Sequence, residues 1–180
     1  MMKITEMSLA GVKLIEGKRF DDERGFFTEL YKAEAMAELG FPTFIQDNLS
    51  CSKRGVFRGM HLQVAPYGQA KLVRAVSGRI LDFALDIDPE SETFGEAVGV
   101  ELSADDCRAL FIPGHYAHGF VALDDDSRVL YKVDAPYMPS HERAFHYSHP
   151  TILAMVQQFI HPDQLIISDK DLVAPTLNEE

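Results

Sequence analysis

At 180 residues the chain is sized for one domain, 1–180, and its 46% hydrophobic and 25% charged residues can bury a substantial core. Acidic residues outnumber basic ones 28 to 17, a formal net charge of −11; this disfavours nucleic acid as a partner and leaves room for a small anion in a local basic pocket. No apolar run suits a membrane helix, and the opening MMKITEMSLAGVKL lacks a signal-peptide pattern. Cys51 and Cys107 are too few for a disulfide scaffold and are not spaced as a zinc site, so a reducing cytoplasm is the expected location.

In chain order, KAEAMAELG (32–40) predicts a helix that stops at Gly40, with Pro42 just beyond. GVFRGMHLQ (55–63) reads as a buried strand carrying Arg58, His61 and Gln63 among apolar residues. AKLVRAV (70–76) follows. ILDFALDI (80–87) then alternates, with Leu81, Phe83, Leu85 and Ile87 on one face and Asp82 and Asp86 on the other, the pattern of a half-buried strand. RALFI (108–112), HGFVAL (118–123) and RVLYKV (128–133) extend the series, and TILAMVQQFI (151–160) suits a second helix. Glycine and proline turn signals punctuate the chain at short intervals, and there is no repeat or linker. Short strands at this spacing predict an all-β sandwich or barrel with a few short helices.

Several strands carry residues able to do chemistry: Arg58, His61, Gln63, Gln69, Lys71, Arg74, His118, Tyr131 and Lys132. Taken singly, a strand lysine usually faces solvent and a histidine is more often structural. Gathered among Val, Leu and Phe on neighbouring strands, they would be costly to bury without a purpose. A small barrel can hold one ligand among such inward side chains. Parity places Lys71 with Val73 and Arg74 on the opposite face. Arg58 and His61 also differ in parity, and a bulge at Gly59 would bring both inward. Metal-binding cupin barrels show His-x-His followed by Glu; here Gln63 stands at the second histidine and no Glu follows before Gly78, so a metal-free barrel is expected.

FDDERGFFTELY (20–31), QDNLSCS (46–52), GVFRGMHLQ, QAKLVRAVSGRILDFALDID (69–88), SETFGEAVGVELS (91–103), IPGHYAHGF (112–120), YKVDAPYMPSHE (131–142) and LIISDKDLVAP (165–175) occur in one order along nearly the whole chain. Together they resemble the dTDP-4-dehydrorhamnose 3,5-epimerase family. The resemblance implies a cupin-type jelly-roll barrel, a homodimer, and no metal or redox cofactor. It also implies a nucleoside-diphosphate 4-keto-6-deoxy sugar as substrate.

Inverting the carbons beside a ketone needs a base, a group to hold the enolate oxygen, and an acid on the far face. By resemblance the base is His61, oriented by Asp171; imidazole as a residue type titrates near neutrality. Lys71 is the implied enolate stabiliser and Tyr131 the implied proton donor. Arg24, Arg58 and His118 match positions near the pyrophosphate, Gln46 and Asn48 those near the base, and Tyr137 and Glu142 further substrate-binding positions. Phe27 and Glu29 match a segment that closes over the nucleotide, partly from the partner subunit. Without the resemblance, QDNLS reads equally well as a polar turn. The chain departs from the family over 144–164, where tryptophans are absent and His149 replaces an aspartate before Pro150; most of this segment is expected to be packing, and the alternative is a different sugar, a different nucleotide or epimerisation at one carbon only. Two alternatives stand beside the epimerase: a metal-dependent cupin enzyme and a non-catalytic cupin that binds a sugar nucleotide.

Overall fold

The computed structural model describes residues 2–177. Thirteen strands and three short helices make up the described chain, with two 3-10 turns. One antiparallel sheet holds β1 (Lys3–Glu6), β2 (Lys13–Glu16), β10 (Arg108–Ile112), β7 (Lys71–Ser77), β12 (Ser127–Val133) and β5 (Gln46–Ser52), in that spatial order. The facing sheet runs β13 (Glu142–Ala144), β6 (Phe57–Gln63), β11 (Ala117–Ala122), β8 (Arg79–Leu85), β9 (Ala97–Ser103). A separate hairpin is formed by β3 (Arg19–Asp22) and β4 (Gly25–Thr28). The fold is the cupin-type jelly roll that the resemblance implied.

Three apolar clusters explain why the strands run so continuously hydrophobic. Between the sheets lie Val73, Leu110, Ile112 and Val129 from one side and Ile80, Ala84, Val100, Leu102 and Phe120 from the other. The outer face of the five-stranded sheet, with Phe57, Met60, Leu81, Phe83 and Leu85, is covered by Ile152 and Val156 of α2 (Pro150–Val156) and by Ile160. The outer face of the six-stranded sheet packs Leu72, Ala109 and Phe111 against Met36 of α1 (Ala33–Glu38) and against Phe41.

This layering corrects one expectation. β8 is not half-buried: Ile80 through Leu85 are all buried, because a helix covers the outer face and the facing sheet covers the inner one. Period two still sorts the faces, and it sends Asp82 into the barrel with Ile80 and Ala84. The polar-turn alternative for QDNLS is also set aside, since these residues begin β5, an edge strand paired along its length with β12.

The first predicted helix closes as expected, at Gly40 with φ +80°. The second begins one residue early, at Pro150, and its last turns are irregular, although Ile160 still packs in the core. Phe145, Ile152, Val156 and Ile160 of the divergent segment are buried in the outer cluster, the packing expected of it. His149 is the N-cap of α2 but makes no capping hydrogen bond, and its Nδ1 is buried without a partner. His149→Asp is expected to raise stability by about 0.5–1 kcal/mol by capping the helix, read as an increased denaturant midpoint.

Candidate active site

The mouth of the barrel opens into a cavity of about 740 Å³. Its walls come from β5, β6, β7, β11, β12 and β13, and from the segment 166–171 leading into α3 (Asp169–Leu172). Two strands supply most of its chemistry, and each solves a local geometric problem.

On β6, Phe57, Met60 and Leu62 point to the outer cluster, whereas Arg58, His61 and Gln63 line the cavity. Strict alternation forbids Arg58 and His61 from sharing a face. The pairing with β11 shows how they do: Phe120 opposes Arg58 and His118 opposes His61, so β6 spends one extra residue across this interval. The bulge expected at Gly59 is present. Gly59 has φ +130°, and a Cβ there would meet Gly119 Cα at 2.5 Å. On β7 alternation is regular. Lys71 points inward, and Arg74 points outward to donate to the Leu30 carbonyl at 2.7 Å.

Two imidazole–carboxylate pairs result. His61 Nε2 lies 2.7 Å from Asp171 Oδ1, and His118 Nε2 lies 2.7 Å from Asp82 Oδ1. Asp171 reaches His61 across 110 residues because the C-terminal segment is strapped to the start of β6. Phe57 N–H donates to the Ile166 carbonyl, and Ile166 N–H donates to the Gly55 carbonyl. Ser168 caps α3 by accepting from Asp171 N–H at 3.2 Å. Lys71 is buried, and its ammonium has its pKa lowered by burial to about 8, against the opposing charges of Asp134, Asp82 and Glu142. Burial pushes the Tyr131 phenol up, and the Arg58 cation pulls it partly back. The site therefore offers an imidazole held by a carboxylate, a buried cation and a phenol that keeps its proton at neutral pH.

Of the site residues named from sequence, His61, Lys71, Tyr131, Asp171, Gln46, Asn48, Arg58, His118, Tyr137 and Glu142 all line this cavity. Arg24, Phe27 and Glu29 do not. Arg24 sits at the hairpin tip, its side chain 84% exposed and paired with Asp22, while Phe27 and Glu29 face a separate groove beside α1. Sequence reasoning missed Lys170, which lines the cavity and donates to Glu142 Oε2 at 2.6 Å, while Tyr137 donates to the same oxygen at 3.1 Å. Its position beside Asp171 was the available signal. Asp82 was missed as well, because its alternation with Leu81 read as the solvent face of a half-buried strand.

Gln63 has a different task from the one its position suggested. Its amide donates to the Tyr67 and Pro136 carbonyls and accepts from Met138 N–H at 2.6 Å. Gln69 donates to the Ala135 carbonyl. The two amides thus hold the segment that carries Tyr137. Among the described residues, no group of three or more His, Cys, Asp or Glu side chains is placed to hold a metal ion.

The chain is similar to known proteins over nearly its whole length. Residues 6–179 match the family model described as dTDP-4-dehydrorhamnose 3,5-epimerase. The chain is 42% identical to the dTDP-4-dehydrorhamnose 3,5-epimerase of Salmonella typhimurium, over 99% of this chain and 97% of that one. It superposes with a TM-score of 0.89 on the Legionella pneumophila dTDP-6-deoxy-D-glucose-3,5-epimerase solved in complex with dTDP-4-keto-L-rhamnose, at 39% identity over 99% of this chain and 94% of that one. A 3'-monoepimerase from Streptomyces bikiniensis, solved with dTDP-quinovose, matches at 30% identity and a TM-score of 0.83, covering 96% of this chain and 87% of that one. The chain belongs to the dTDP-4-dehydrorhamnose 3,5-epimerase family.

Proposed function

We propose that the protein is an isomerase that inverts C3 and C5 of a dTDP-linked 4-keto-6-deoxy sugar by removing and returning the proton beside the ketone. One observation carries this reading: the His61–Asp171 pair, Lys71 and Tyr131 line the same cavity. His61, held by Asp171, takes the proton. Lys71 places a positive charge against the developing enolate oxygen, and Tyr131 returns a proton from the other face. Arg58 and His118 serve the pyrophosphate, Gln46 and Asn48 the nucleobase, and Tyr137 and Glu142 the rim. Incubation with dTDP-4-keto-6-deoxyglucose in heavy water tests it: deuterium is expected at C3 and C5, with inverted product. Absence of exchange at both carbons overturns the reading.

The metal-dependent alternative loses support from Gln63, whose amide is occupied by backbone groups. Turnover is expected to survive exhaustive dialysis against a chelator, with elemental analysis showing no stoichiometric transition metal.

The proposal includes a homodimer. Arg24 and Phe27, on a hairpin that exposes Phe20, Phe26 and Phe27, and Glu29 just after it stand away from their own cavity, and the edge strand β5 and the residue before it expose Leu49 and Ile45. A twofold partner would cover these apolar side chains and receive the hairpin. A molar mass of one chain by light scattering would remove this part. It also includes a cytoplasmic location, which the two unpaired cysteines support. Among the described residues no helix is long and apolar enough to cross a membrane.

A further inference from the structure

Asp82 has no solvent-exposed surface. It comes from β8, where its inward neighbours are Ile80 and Ala84, both in the apolar core. An ionised carboxylate in that position is costly unless cations compensate it. Oδ1 accepts from His118 Nε2 at 2.7 Å; Oδ2, equally buried, has no hydrogen-bond partner among the described residues. His118 is the cross-strand neighbour of His61, so this second pair stands beside the first on the cavity wall.

The other charge near Asp82 is the Lys71 ammonium. Three carboxylates act on Lys71: Asp134, Asp82 and Glu142. Two of these have other hydrogen-bonding work. Asp134 accepts from Ala70 N–H at 2.7 Å, and Glu142 accepts from Lys170 and Tyr137. Asp82 accepts from His118, and of the three it is the one with a buried carboxylate oxygen that has no hydrogen-bond partner among the described residues. Arg58 and His61 from β6 and Tyr131 from β12 also line this cavity, and none of them brings a resident negative charge at neutral pH.

We infer that Asp82 is a positioning residue: its buried carboxylate holds the His118 ring with Nε2 protonated and supplies the counter-charge that keeps the Lys71 ammonium ionised in the barrel floor. This rests on the proposed site, in which Lys71 meets the enolate oxygen. Burial pushes the Asp82 carboxyl up, and the neighbouring His118 and Lys71 pull it back.

The test is Asp82→Asn, nearly isosteric, read in two ways. Lys71 is followed directly by NMR of carbon-labelled lysine, and turnover is followed against pH. In the wild type the Lys71 titration is expected near pH 8. In the variant it is expected to fall by about one pH unit, which on the alkaline side of both titrations is a tenfold loss of ionised lysine. The alkaline limb of the rate profile should move down with it, and the His118 nitrogen shifts should report a changed tautomer. A merely structural role would lower activity equally at all pH values. An unmoved Lys71 titration overturns the inference. A moved titration with an unmoved alkaline limb supports the charge coupling and instead removes Lys71 from its proposed place in the reaction. If the variant does not fold, the carboxyl carbon shift of Asp82 in the wild type decides: ionised at pH 7 supports the inference, protonated overturns it.

Discussion

Replacing His61 with asparagine is expected to abolish exchange of the C3 and C5 hydrogens with solvent. The amide keeps the shape and some hydrogen bonding toward Asp171 but cannot accept a proton at neutral pH. Tyr131→Phe removes only a donor. Deprotonation by His61 remains possible in that variant, and the enolate can be reprotonated from the side it left. It should therefore still trade hydrogen for deuterium while forming little inverted sugar. Either change is expected to slow turnover by roughly 10²–10⁴-fold, the usual worth of a positioned acid or base, so rate alone does not separate the roles. The ratio of exchange to inversion, read by NMR in heavy water, does. Loss of exchange in Tyr131→Phe with retention in His61→Asn would reverse the assignment. The buried phenol, pushed up by desolvation, is suited to donate because it holds its proton throughout the neutral range.

A single methyl group at Gly59 is expected to cost about 3–5 kcal/mol, combining an unfavourable backbone region with a direct clash. At φ +130° the new Cβ would lie 2.5 Å from Gly119 Cα and 2.8 Å from the His118 carbonyl oxygen, both backbone atoms of the paired strand that cannot turn aside. Gly25 offers the control. It has φ +127° but nothing within 4 Å of its would-be Cβ, so Gly25→Ala should cost only the conformational part, about 1–2 kcal/mol. Denaturant midpoints of the two variants separate strain from collision. Equal losses would mean that the strands part easily at Gly59. Activity adds a second reading: any folded Gly59→Ala protein has its bulge disturbed, which misaligns Arg58 and His61 and lowers turnover further than the folded fraction explains.

Much of this architecture was legible in local pattern. The alternation in 80–87 marked β8, the run 70–76 marked β7 with Lys71 and Arg74 on opposite faces, and Gly40 marked the end of α1. Such features depend on neighbours two to four residues apart, and pattern reads them directly. Burial of both faces of β8 was not legible, because the cover over Phe83 arrives from α2, some seventy positions on.

The same division runs through the active site. The family resemblance, not the residue types taken singly, named His61, Lys71, Tyr131 and Asp171, and the mismatch at Gln63 was plain. What Gln63 does instead, bracing the segment around Met138, depends on a chain 75 residues away. That Asp171 touches His61, that Asp82 touches His118, and that Arg58 and His61 share a wall despite opposite parity were decided only when the strands paired. A hydrogen bond 110 residues apart leaves no local trace in composition or period, and the slip in register left only Gly59 as its sign, since their geometry exists only between elements already in place.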